Sequence, residues 1–420
     1  MKRLFYIIIS FLPLLASAQQ TLSLDECYRL SETNYPLAQQ SVLLKEQSEL
    51  EISAIEKAKL PQLDINAQAT YQSDVTQFPI QQTGLTIAPP NKDQYRASLD
   101  VNQLIYKGGN INDQTSLKTA ELETQQQQVL VNLYTLKSKI NYLYFNILML
   151  QEQRQLFFLK QERLQKQLNE INSAIKHGAV LAASGQVLEA EILKIQQQII
   201  QIDFDRKNTL NKLSSIVMQP IAENVILTQP ETTIASHTTS TRPEFKLFEL
   251  QQQQIENSKA VIANENFPSI YGFAQADYGN PGLNMLENSF QDFYMVGVKL
   301  NWNVFDWGKT KERTQALDIS QQIITTEKET FELNNNIELQ QANSEIDKIS
   351  ALLETDLKII QLQEKVVQAV ASQLKNGVIT SSEFLIEFNK LYESKINYEL
   401  HKIQLGLAKA TYKVTLGIPE

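Results

Sequence analysis

The chain has 420 residues, enough for two or three ordinary domains. Its charged residues, 20% of the total, sum to −9, which removes the electrostatic basis for binding nucleic acid. One cysteine, Cys27, excludes an internal disulfide or a Cys-cluster metal site, and the histidines His177, His237 and His401 are too scattered for a ligand set.

Residues 1–18 read as a signal peptide. Lys2 and Arg3 start it, Leu4 to Leu15 is its apolar core, and Ala16-Ser17-Ala18 is a cleavage site. A helix is expected from Leu22 to Leu60, with Ser23 as N-cap, Glu26 as its capping-box partner, and a kink or break at Pro36. Pro61 ends it. Leu63, Ile65, Ala67, Ala69 and Tyr71 then alternate with Asp64, Asn66, Gln68 and Thr70, the period of a strand with one dry and one wet face. After a Pro- and Gly-bearing loop a second strand, 95–105, places Leu99 and Val101 on one phase and Arg96 and Asp100 on the other.

From Asn110 to Lys176 there is neither proline nor glycine. Ile140, Leu143, Ile147, Leu150, Phe157, Leu164, Leu168, Ile171 and Ile175 form a heptad seam. At 1.5 Å per residue such a helix is roughly 100 Å long. Gly178 suits its C-cap, and a return helix follows over 183–217. Residues 221–241 read as a polar connector.

The cycle then repeats. A helix from Arg242 ends at Pro268, and strands follow at 269–278 and 294–304. In the second, Val298 and Leu300 alternate with Lys299 and Asn301. A helix over 309–375 carries the seam Ile346, Ile349, Leu353, Leu357, Ile360, Val367, Val370 and Leu374, and a return helix spans 380–416. Pro36, Pro61 and Tyr71 register with Pro243, Pro268 and Tyr278 at one offset. Tyr95, Gly109, Gly178 and Pro220 register with Tyr294, Gly308, Gly377 and Pro419 at another. The chain is therefore expected to be an internal two-fold repeat, 19–220 and 242–420, with the connector between. The connector and C-terminus are expected at mid-height of the long helices.

Four strands with one oily face cannot stand alone in lipid, because their edges leave backbone groups unpaired. They are also too few for the smallest bacterial barrel, about eight strands. Several copies are needed. No phosphate-cradling Gly-Lys-Ser/Thr loop and no Ser-centred nucleophile elbow is present, so neither an enzyme nor a cofactor is expected.

In order along the chain, the repeat, Lys59-Leu60-Pro61-Gln62-Leu63, Tyr106-Lys107-Gly108-Gly109, Phe305-Asp306-Trp307-Gly308 and the turns at Gly178 and Gly377 resemble the TolC-type outer-membrane efflux proteins. The resemblance covers essentially the whole mature chain. It implies a mainly α chain with membrane β-strands. Three copies would form a 12-stranded β-barrel in the outer membrane of a Gram-negative bacterium, carried on a periplasmic α-barrel of long antiparallel coiled-coil helices. It implies passive export through a tripartite efflux or type I secretion system, with a periplasmic adaptor and an RND- or ABC-type inner-membrane pump as partners.

Under that resemblance Leu63, Ile65, Leu99, Val101, Val298 and Leu300 face lipid, and Asp64, Asn66, Asp100, Lys299 and Asn301 face the lumen. The turns Lys176-His177-Gly178-Ala179 and Lys375-Asn376-Gly377-Val378 would touch the adaptor. Family members carry acidic residues after the second turn. Glu383 matches the first of them; Ile386 stands where the second usually falls, and Glu387 lies one place later. Glu383 and Glu387, four apart, share a helix face and could ring the periplasmic aperture. Two acids on a solvated helix is the plainer alternative. Trp302, Trp307, Tyr294 and Tyr106 suit an interfacial aromatic belt, with packing at the strand-to-helix junction as the alternative for Trp307. The rival reading of the whole chain is a soluble periplasmic coiled-coil adaptor, which would not need the four amphipathic strands.

Overall fold

A computed structural model describes residues 21–76, 89–178, 180–230 and 240–418. The expected signal peptide, the middle of the first loop, Ala179, residues 231–239 and Pro419 lie outside the described residues. The elements in order are β1 (Thr21–Leu22), α1 (Leu24–Asn34), α2 (Ala38–Lys57), β2 (Gln62–Tyr71), β3 (Asp93–Lys107), α3 (Asn110–Lys176), α4 (Ala182–Val217), β4 (Ile226–Leu227), α5 (Pro243–Ala263), β5 (Ser269–Asn280), β6 (Gln291–Asn301), α6 (Lys309–Lys375) and α7 (Ser381–Leu416). α3 and α6 each have 67 residues, and α4 and α7 each have 36. The chain divides into two compact units.

One unit comprises residues 40–129 and 244–330 and holds the main sheet. Its strand order is β2-β3-β5-β6, all antiparallel, so β2 and β6 are its edges. Pro61 and Pro268 each stand just before a strand, where a missing N–H costs no ladder bond. β6 starts three residues before the expected Tyr294 and stops at Asn301, because β5 offers no partner beyond Ser269. Trp302 and Val304 therefore lie past the strand, exposed. Around the sheet's helical end, Lys118 pairs with Glu51 of α2 at 2.6 Å and Lys259 of α5 with Asp318 of α6 at 2.7 Å. Asp306 takes the N-cap role at α6, accepting from the N–H groups of Gly308 (3.0 Å) and Thr310 (2.9 Å).

The other unit comprises residues 1–39, 130–243 and 331–420. Leu164, Leu168 and Ile171 of α3, Leu188, Ile192 and Ile195 of α4, Val367 and Leu374 of α6, and Phe384, Phe388 and Leu391 of α7 form one buried core. The expected seams therefore pack. The α6 seam packs less completely, with Leu357 exposed. The helix expected over residues 22–60 is two helices. Tyr35, which precedes Pro36, is held extended at φ −62°, ψ 136°, as sterics before a proline require. Ser23 caps α1 by accepting from the Glu26 N–H at 3.2 Å, but the Glu26 carboxylate turns to Arg29 at 2.6 Å, so the box is only half made.

The described parts of the connector, residues 221–230 and 240–241, are more ordered than its polar composition suggests. β4 pairs in parallel with β1, and the buried Tyr144 hydroxyl reaches the carbonyls of Leu22 (2.8 Å) and Thr228 (2.6 Å) beside that pair. Arg206 donates to the carbonyls of Glu223 and Val225, both at 2.5 Å. The Thr241 N–H donates to Leu416 O at 2.9 Å, which fastens the connector's end beside the last turn of α7.

Candidate functional site: a two-faced sheet and two helical turns

Strand pairing decides which side chains share a face. Leu63 opposes Val101, Ile65 opposes Leu99, and these continue into Ala274 and Ala276 and then Val296 and Tyr294. Val298 and Leu300 lie on the same side through Gly272 and Ile270. All six apolar residues expected to face lipid are therefore on one dry face. That face is open: Ile65 is 80% exposed and Val298 70%. Large apolar side chains on a flat sheet rarely stay in water at this level without a partner or lipid.

The opposite face carries the expected polar set, Asp64, Asn66, Asp100, Lys299 and Asn301. The Asn66 amide donates to Asp100 at 2.7 Å, and the Ser98 hydroxyl donates to the same oxygen at 2.8 Å. Arg96 pairs with the buried Asp277 at 2.6 Å while its guanidinium lies 5.5 Å over the Phe293 ring. A hollow of about 310 Å³ on this face is walled by Asp100, Asn102, Tyr271, Phe273, Lys299 and Asn301, among others. The wet face is less uniform than alternation implied, since Tyr271, Phe273, Phe293 and Met295 also belong to it. Trp307 is not packed into the junction; it is exposed, with Phe305 at 4.9 Å.

Both helical turns end on a glycine in the left-handed region, Gly178 at φ +73° and Gly377 at φ +71°. This is the conformation that lets a helix stop by bonding its last carbonyls: the Gly377 N–H donates to Leu374 O at 3.0 Å. Lys176, His177, Lys375, Asn376 and Val378 are all exposed around these glycines. Just beyond the second turn, Thr380 and Glu383 make the full reciprocal capping box. The Glu383 N–H donates to the Thr380 hydroxyl at 3.2 Å, and the Thr380 N–H donates back to the Glu383 carboxylate at 2.8 Å. Those bonds, the backbone one first, hold the Glu383 carboxyl below its usual 4.5. Glu383 is exposed; Glu387 is partly covered and pairs with Lys390 at 2.8 Å. The two acids are thus not equivalent. The Thr380-x-x-Glu383 spacing is the sequence signal that finds this box, the same pattern as Ser23-x-x-Glu26.

Among the described residues, no group of three His, Cys, Asp or Glu side chains is placed to hold a metal ion. No helix among them is long and apolar enough to cross a membrane.

No protein-family model matches the chain, and no curated protein matches it. Solved structures do match. The outer membrane protein VceC of Vibrio cholerae aligns over 94% of this chain and 96% of its own, with a TM-score of 0.68 at 13% identity. CusC, described for its folding and transmembrane channel formation, aligns over 94% and 92%, with a TM-score of 0.70 at 13% identity. The open-state outer membrane channel MtrE of Neisseria gonorrhoeae aligns over 94% and 88%, with a TM-score of 0.65 at 16% identity. At such identities the likeness is one of fold.

Proposed function

We propose that this chain, which has the fold of the TolC-type outer-membrane efflux channels, is one of three identical walls of a passive exit duct in the outer membrane of a Gram-negative bacterium. One observation carries the reading: among the described residues, a four-stranded sheet presents an exposed apolar face and two unpaired edges of nearly equal length, β2 with 10 residues and β6 with 11. In lipid every unpaired N–H or C=O costs several kcal/mol, so the edges must be joined. Pairing β6 of one copy with β2 of the next joins both along their whole length. Two copies would make eight strands, a barrel whose interior side chains fill; three make twelve and leave a bore. The polar face then meets water and the dry face meets lipid.

The helices would extend into the periplasm and carry the two glycine turns to the narrow end, where an adaptor docks. The chain has no nucleotide-binding loop, so an inner-membrane pump supplies the energy. At that end Glu383 of three copies, with Glu387 one turn further, forms a carboxylate ring that constricts the pore and favours cations. The internal two-fold repeat belongs to the same reading, since the paired helices have equal lengths.

The test is membrane fractionation followed by planar-bilayer recording. The mature chain is expected in the outer-membrane fraction and to conduct when reconstituted, and Glu383→Gln with Glu387→Gln is expected to weaken cation preference. Recovery as a soluble monomer removes the duct and leaves the adaptor reading standing. A conducting trimer with unchanged ion preference removes only the ring.

A further inference from the structure

The connection between β5 and β6, residues 281–290, lies at the end of the sheet away from the helices. A loop tip there is expected to be polar. This one exposes Leu283 (66%) and Met285 (60%), with Leu286 and Phe290 beside them. Its two flanks go to opposite faces. Phe290 stacks on Tyr95 and Tyr278 of the dry face, with ring centroids 6.2 and 5.5 Å apart. Leu283 and Met285 lean over the wet face. There they help to wall a hollow of about 360 Å³ together with Gln68, Thr70, Arg96 and Phe293.

Gly282 lets the chain cross in this direction, because a Cβ at that position would come within 2.6 Å of the Gln291 side chain. The crossing is held at the top by an amide pair. Asn288 Nδ2 donates to Asn91 Oδ1 at 2.9 Å, and the Asn91 N–H donates to Asn288 Oδ1 at 3.3 Å. The loop is therefore clamped to the rim by rings and amides, with Phe290 on the dry face and Leu283 and Met285 over the wet one.

We propose that the 281–290 loops of three copies converge over the bore as an apolar constriction at its outer mouth, with Leu283 and Met285 as the narrowing side chains. The partner of each exposed apolar tip is then the same tip of a neighbouring copy. This rests on the duct reading, since the wet face becomes a bore only when the barrel closes. Meeting one another takes these side chains out of water. A leucine and methionine ring offers hydrated ions no ligand, and such constrictions close by dewetting. Amphipathic organic solutes can wet it and part it. The mouth thus acts as a second filter that slows simple ions without stopping conduction, independent of any carboxylates at the other end.

The test uses the full chain in whole cells. Asn102→Cys, on the wet face below the loop, is labelled from outside with a membrane-impermeant charged maleimide. Cys27 does not compete, because it is buried and its thiol is pushed up to about 12. Adding Leu283→Ser and Met285→Ser is expected to raise the labelling rate about fivefold or more by removing the dewetted ring. A short bismaleimide is expected to join Leu283→Cys copies into covalent dimers. An outer-membrane trimer whose labelling rate does not change, or whose loops do not link, overturns the constriction. A chain recovered as a soluble monomer overturns the duct reading and the constriction with it.

Discussion

Tyr144 shows how much one side chain can organise. Fully buried on α3, with its phenol pushed up to about 12 by that burial, it stays a neutral donor whose hydroxyl sits between two carbonyls from distant parts of the chain, Leu22 and Thr228. Tyr144→Phe leaves both carbonyls without it and should cost about 1–3 kcal/mol. A urea titration would show this as a lower midpoint at unchanged slope. At the other end of the same unit, Thr380 acts on Glu383. Removing a hydrogen bond to a carboxylate raises its pKa, so Thr380→Val should let Glu383 protonate at higher pH than in the parent chain. The folded-state pKa is depressed, so the charge is present above the usual carboxylate range and is lost as pH falls. Reversal potentials measured while acidifying should therefore show cation preference fading at a higher pH in Thr380→Val. A coincident fade in both proteins would separate Glu383 from the pore's selectivity.

The strands and long helices were legible because their periods are strong. Sixty-seven residues without proline or glycine can hardly do anything but form a helix, and β2 alternates over its whole length. What could not be read is what depends on a partner. β6 stops where β5 stops, so Trp302 and Val304 keep the alternation but lose the ladder. The two-residue pair of β1 and β4 has no period at all; Tyr144 holds the Leu22 carbonyl within it and the Thr228 carbonyl just past it, and Arg206 holds the Val225 carbonyl just before it. Likewise the inward lean of Leu283 and Met285 is set by Gly282 and the Asn91–Asn288 pair, not by hydropathy. The two-faced sheet makes its own prediction. Val298→Lys, on the dry face, should cost about 2–4 kcal/mol if it lies near mid-bilayer. Lys299→Gln, one residue on and facing the other way, should be tolerated. Heat-modifiable mobility on gels after outer-membrane extraction would compare them; equal damage from both would mean the faces are not divided between lipid and water.

At the scale of the whole molecule the helices leave a second unfinished surface. On α6, Ile346, Leu353, Ile360, Val367 and Leu374 repeat every seven residues and pack inside the unit. Leu352, Ile359 and Val366 repeat at the same interval one position earlier, about 100° round the helix, and they are exposed together with Leu362. A heptad stripe left in water is what a coiled-coil helix shows when one neighbour is missing. In the proposed assembly of three copies, the natural neighbour is a helix of the next copy. Ile359→Glu with Leu362→Glu should then weaken assembly without unfolding the chain. Each substitution removes a burial worth about 1.5–3 kcal/mol per side chain at every one of the interfaces that close the ring. Native mass spectrometry in detergent should show the parent chain as three copies and the double variant shifted to single copies, with helical circular dichroism retained. If the variant remains trimeric, the α6 stripe faces water in the assembly, and closure rests on the strands alone.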